Sequence, residues 1–198
     1  MNDRKSRRGG FSMVEMLLVL SLTAVGVTKL SLVLRAASRA QANESTVIDL
    51  ESQAQRVLDQ IAYAVMSSDR ETLIPDPESP WFSAELRFRA SLGVEDGEVV
   101  WGEPEMVQLS DERRQVVYRQ NYDAEDELRV VWCNIVRPYL DGELANDEDD
   151  NDNGLVDELG LSFSLVGDSV EIRLSLEKTG IDGKTVKHFV ETTVTCRN

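Results

Sequence analysis

The sequence predicts an α+β fold in which one long N-terminal helix, transmembrane first and amphipathic second, packs on an antiparallel β-sheet head. Three observations predict it. A proline-free apolar run occupies 11–34, an apolar stripe at helical spacing follows at 47–65, and beyond Pro80 the chain alternates apolar and polar residues.

The leader and the apolar run come first. Residues 1–10 (MNDRKSRRGG) carry four basic groups and one acidic group, a net of +3, against −15 for the whole chain, so the remainder stands at −18. From Phe11 to Thr28 the only charged residue is Glu15, and 16–34 contain only Lys29. A bilayer core needs roughly 20 predominantly apolar helical residues, so 11–34 is long enough to span it. The positive-inside rule keeps the basic leader cytoplasmic and exports the chain beyond the span. Lys29 snorkels toward the outer interface, where Arg35 lies. An ordinary secretory signal places its small-residue cut site after the apolar core. Here Gly9-Gly10 lies before it.

The stretch RRGGFSMVEMLLVLSL resembles the class III signal of type IV pilins and type II secretion pseudopilins. The resemblance implies that a dedicated prepilin peptidase/methyltransferase cuts after Gly10 and N-methylates Phe11, leaving Glu15 as the fifth mature residue. Ser12, Met13 and Val14 are mild departures from the family's usual Thr, Leu and Ile or Val. A carboxylate in an apolar segment is costly, so Glu15 needs a partner or a reason to be there. In a filament of this family the partner is the Phe11 amine, its own or a neighbour's, which sets the axial register between helices. The alternative is a Glu15 solvated at the membrane interface.

Next comes the amphipathic half. Val47, Leu50, Ala54, Val57, Ile61 and Val65 form one stripe, opposite Glu44, Asp49, Glu51, Gln55 and Asp59. No proline interrupts 11–66, so span and stripe form one helix of about 55 residues, roughly 80 Å at 1.5 Å per residue. Ser67-Ser68-Asp69 and the PDPESP run at 75–80 end it. The domain plan is therefore a leader at 1–10, a transmembrane helix at 11–34, and an exported pilin-type head at 35–198 whose helix runs to about 66.

The head's second part reads as strands. Leu86, Phe88 and Ala90 alternate with Arg87 and Arg89, and short candidates occur at 97–101, 105–109, 115–120 and 127–136. Alternation is strict in 161–165 and 170–176, with Gly167-Asp168 between them, and Asp182-Gly183 turns the chain into 185–196. This predicts a three-strand meander closing the sheet, its covered face lying on the helix stripe.

Between Pro138 and Leu161 lies DGELANDEDDNDNGLVDELG. Asp149, Asn151, Asn153 and Asp157 fall at positions 1, 3, 5 and 9 of a calcium-loop pattern, with Gly154 at position 6. Leu155 would offer its backbone carbonyl, and Glu158 a further carboxylate. Position 12 is Gly160 where an EF-hand has glutamate, which argues for a short calcium loop entering a strand rather than a full EF-hand. A solvated acidic loop with no specific ion is the competing reading.

Cys133 and Cys196 each share the phase of apolar neighbours. An exported head could pair them as a disulfide, and two buried thiols are the alternative. His188, in phase with Val186 and Val190, reads as a packed or edge histidine, and Trp81, Trp101 and Trp132 as core. One histidine and two cysteines exclude histidine-rich or four-thiolate metal sites, and so acidic a head disfavours nucleic-acid binding. No nucleophile elbow, phosphate loop or zinc signature occurs, so no catalytic residues are expected.

The expectation is a structural assembly protein, not an enzyme. It is a single-pass protein of the bacterial inner membrane, its N-terminus cytoplasmic before processing and its head periplasmic. The resemblance implies other pilins or pseudopilins as partners. Head length and a β-rich second half resemble the J-type minor pseudopilin of type II secretion. The alternatives are a minor type IV pilus subunit for adhesion, motility or DNA uptake, and, more remotely, a membrane-tethered calcium-binding hydrolase.

Overall fold

The computed structural model describes residues 12–74, 82–110 and 112–196. Helix α1 spans Met13–Met66, 54 residues without a proline. Its start is a capping box: the Ser12 hydroxyl accepts the Val14 N–H at 3.3 Å, and the Glu15 carboxylate accepts the Ser12 N–H at 3.4 Å. Its end is closed by serines, Ser67 Oγ donating to the Ala64 carbonyl at 2.9 Å and Ser68 Oγ to that of Val65 at 2.6 Å. These bonds satisfy carbonyls that a helix end leaves without intrahelical partners.

The chain divides into two compact units, Met1–Glu44 and Ser45–Asn198. In the first, every described side chain as far as Arg39 is exposed, and α1 there is long and apolar enough to cross a membrane. Ser21, Thr23 and Thr28 return their hydroxyls to carbonyls one turn back, so their polar groups are satisfied within the helix.

In the second unit the expected stripe is the core-facing side of α1. Leu50, Ala54, Val57, Ile61 and Val65 are buried, joined by Leu58 and Ala64, while Val47 at the start of the stripe is only half-buried and Glu51, Gln55 and Asp59 stay exposed. Strands β1 (Glu85–Glu95), β2 (Glu98–Leu109), β3 (Val116–Gln120) and β4 (Leu128–Cys133) form one antiparallel sheet in sequence order. Asp96 and Gly97, with φ of 52° and 88°, make the tight β1–β2 turn, a left-handed pair that Asp-Gly accommodates. The predicted meander is a second sheet, β5 (Leu161–Val166), β6 (Ser169–Thr179) and β7 (Thr185–Thr195). Ser83, just ahead of β1, exchanges two 2.8 Å backbone bonds with Phe163 of β5, which links the two sheets. Phe88, Val107, Phe163, Ile172 and Leu174 meet the helix stripe in one core.

Two strand expectations change. Candidates 97–101 and 105–109 are one strand, because Pro104 sits beside the register shift after Arg89, where its missing N–H breaks no regular ladder. Candidate 127–136 is cut at Cys133. The next residues cross to the second sheet, where the Glu177 N–H bonds the Ile135 carbonyl and the Arg137 N–H the Ser175 carbonyl, both at 2.9 Å.

Candidate functional site

Two regions carry the predicted site residues. At the N-terminus, Gly10 and Phe11 lie outside the described residues, as does Trp81. Glu15 is described: as the third helical residue it accepts the Ser12 N–H. A carboxylate there also meets the positive end of the helix dipole.

The acidic loop is an excursion with a tied neck. The Arg137 N–H donates to the Ser175 carbonyl at 2.9 Å and the Ser175 N–H to the Gly160 carbonyl at 2.8 Å, so both ends meet one residue of β6. Within the neck the Gly160 N–H bonds the Pro138 carbonyl, and Asp141 N–H donates to Ser175 Oγ at 3.0 Å. A Cβ on Gly160 would stand 1.8 Å from the Arg137 carbonyl oxygen. That explains the missing glutamate at this position: the neck admits only glycine.

Above the neck the predicted donors share one turn system. The Asp149 carboxylate accepts the N–H groups of Asn153 and Gly154 at 3.2 and 2.7 Å, and Asn151 Oδ1 accepts that of Asn153 at 3.1 Å. Asn153 Oδ1 accepts the Leu155 N–H at 2.8 Å, while Asp157 takes those of Asn146 and Asp147 at 3.1 and 3.2 Å. Gly154 has a φ of 87° and allows the sharp bend, and the Leu155 side chain is buried beneath it. Among the described residues no three Asp, Glu, His or Cys side chains are already grouped as a metal-holding set.

Glu158, the further carboxylate of the loop pattern, is engaged by groups of the protein. It is fully buried, and its Oε1 accepts from Arg173 at 2.9 Å and from Ser162 Oγ at 3.0 Å, while Oε2 takes the Asn153 side-chain amide. Arg173 also pairs with Glu171 at 2.7 Å. Glu158 is thus the loop's anchor to β6, with its acceptor capacity largely used inside the protein.

Sequence reasoning missed Glu143. It is 2% exposed, and neither carboxylate oxygen has a well-formed hydrogen bond. Burial raises its pKa, and the charges of Glu158, Asp150 and Asp149 raise it further, while the backbone N–H of Asp157 only partly offsets them. The sequence signal was present in DGELAND, but one more acid beside seven in residues 147–158 carried no distinction.

Of the two alternatives for the cysteines, the structure has the second: Cys133 and Cys196 are both buried and not bonded to each other. Gln53 Nε2 lies 3.9 Å from Cys133 Sγ, whereas Cys196 packs by Ser68, beyond the far end of α1. The helix from Gln53 to Met66 advances about 20 Å, and a disulfide requires Cα atoms within roughly 7 Å. Burial pushes both thiols up, so neither is an activated nucleophile.

A groove of about 510 Å³ opens between Asp59 and Tyr63 of α1, with Ser67 just beyond its end, and Glu105, Tyr118 and Trp132 of the first sheet. Tyr118 and Trp132 stack at 4.9 Å with ring planes 7° apart. Trp132, half-buried, lines this groove and also packs against the core. His188 is half-buried on β7, the edge strand of its sheet.

Neither protein-family models, nor curated proteins, nor solved structures show a match to this chain.

Proposed function

We propose that this protein is a minor pseudopilin- or pilin-type subunit. It is held in the bacterial inner membrane by the apolar half of α1 and assembles through it into a type II secretion filament that supports protein secretion. One observation carries the reading. A single helix is exposed and apolar over its first half and provides the core stripe of an α+β head over its second. An apolar helix surface of that size needs lipid or other helices around it. The RRGGF leader and Glu15 support processing ahead of that helix. Assembly then consists of moving the span from lipid into a helical bundle, with Glu15 setting register and the acidic head meeting neighbouring subunits. The J-type resemblance favours a position at the filament tip.

Deleting the gene tests this reading. Loss of secretion of a type II substrate, restored by the full chain, is expected. Intact secretion with lost piliation or twitching would move the protein to a type IV pilus, and no effect on either would refute a filament role. Neighbouring secretin and assembly-ATPase genes of one system or the other discriminate independently.

A further inference from the structure

The calcium-loop pattern lacks its last carboxylate, and the neck geometry makes that loss obligatory. Glu158, the nearest substitute in sequence, is engaged by Arg173 and Ser162. Yet a carboxylate is buried against the loop from the other side. Leu140 N–H bonds the Glu158 carbonyl at 2.9 Å and Glu143 N–H the Leu140 carbonyl at 3.2 Å, so the 140–143 turn is fastened to the end of the loop. Gly142 lies so close to the loop that a Cβ on it would meet Asn151 Cβ at 3.1 Å. The turn thus carries Glu143 onto the loop among Asp149, Asp150 and Glu158.

We propose that Glu143, with Asp149, Asn151, Asn153 and Asp157, forms a binding site for a calcium-sized divalent cation, Glu143 supplying the carboxylate that Gly160 cannot. Both Glu143 oxygens are buried without a well-formed hydrogen bond and lie close to other carboxylates, so a bound cation would favour the ionised form. Arg173, the basic group bonded to Glu158, pairs with Glu158 and Glu171. The donors are all oxygens, and a flexible set of carboxylates and carboxamides suits calcium over magnesium, which demands a tighter octahedron. The loop donors stand in turns rather than in a closed cluster, so binding rotates side chains toward the ion and locks the loop onto the 140–143 turn. The site is independent of the filament reading.

The test is calorimetric titration of the chelator-treated full chain in detergent with calcium chloride, with thermal unfolding alongside. Saturable binding and a raised melting temperature are expected, with magnesium at equal ionic strength giving a clearly smaller rise. Glu143→Gln, nearly isosteric, should weaken calcium binding about tenfold or more while retaining the chelated protein's circular dichroism. Asp149→Asn provides a second variant, with the same loss expected. No binding, equal stabilisation by magnesium, or wild-type affinity in a folded Glu143→Gln protein would overturn the proposal. Loss in Asp149→Asn alone would mean a loop site without Glu143, and would overturn it too.

Discussion

The carbonyl oxygen of Arg137 stands 1.8 Å from where a Cβ on Gly160 would be, so two backbones touch at the neck of the acidic loop. Backbone bonds to Ser175 of β6 hold both ends of the excursion at this contact. Gly160→Ala should therefore destabilise the head by about 2 kcal/mol, within the range for overpacking a tight site. Chemical denaturation followed by tryptophan fluorescence would measure it. Gly160→Glu, which restores the loop pattern on paper, should destabilise at least as much and gain no calcium affinity.

Arg173 is the one basic group bonded to the fully buried Glu158 among the described residues. Removing one partner of such a pair leaves an uncompensated buried charge. Arg173→Met should cost about 3–5 kcal/mol. Adding Glu158→Gln should recover most of it, measured as a double-mutant cycle on denaturation midpoints; a fully additive result would deny the coupling.

Glu15 has a cap to make and, in a filament, a charge to offer. Glu15→Gln still accepts the Ser12 N–H but is neutral, whereas Glu15→Ala loses both functions. Both variants should be cleaved nearly normally and enter filaments poorly, read by immunoblots of whole membranes against sheared filaments. Normal entry of Glu15→Gln would reduce the residue to a helix cap.

Glu105 is half-buried in the groove, where desolvation raises its pKa against an opposing hydrogen bond from Tyr118. A carboxyl whose folded pKa exceeds its unfolded one binds its proton more tightly in the native state. Its contribution is then most favourable at acid pH and declines as pH rises through the folded value. Glu105→Gln should accordingly match wild type at acid pH and exceed it in melting temperature at neutral pH. An equal difference at both would remove titration as the cause.

The helix stripe was legible because 3.6-residue spacing needs no knowledge of partners, and Leu50 through Val65 bury as that spacing requires. The β5–β7 meander was legible from alternation and its glycine turns. The division into two ladders was not, since whether Ile135–Arg137 continues β4 or crosses to β6 depends on contacts some 40 residues away. The loop's oxygen pattern could be read in one dimension. The inward turn of Glu158 and the burial of Glu143 could not, because both are set by Arg173 and the 140–143 turn in three dimensions.

The central claim is that this chain is processed and assembled as a filament subunit, and its N-terminus reports on it most directly. Mass spectrometry of the N-terminal peptide, from protein extracted from membranes that contain a prepilin peptidase, should find a chain beginning at N-methylated Phe11. A chain beginning at Met1, or one cut beyond residue 30, would contradict that claim.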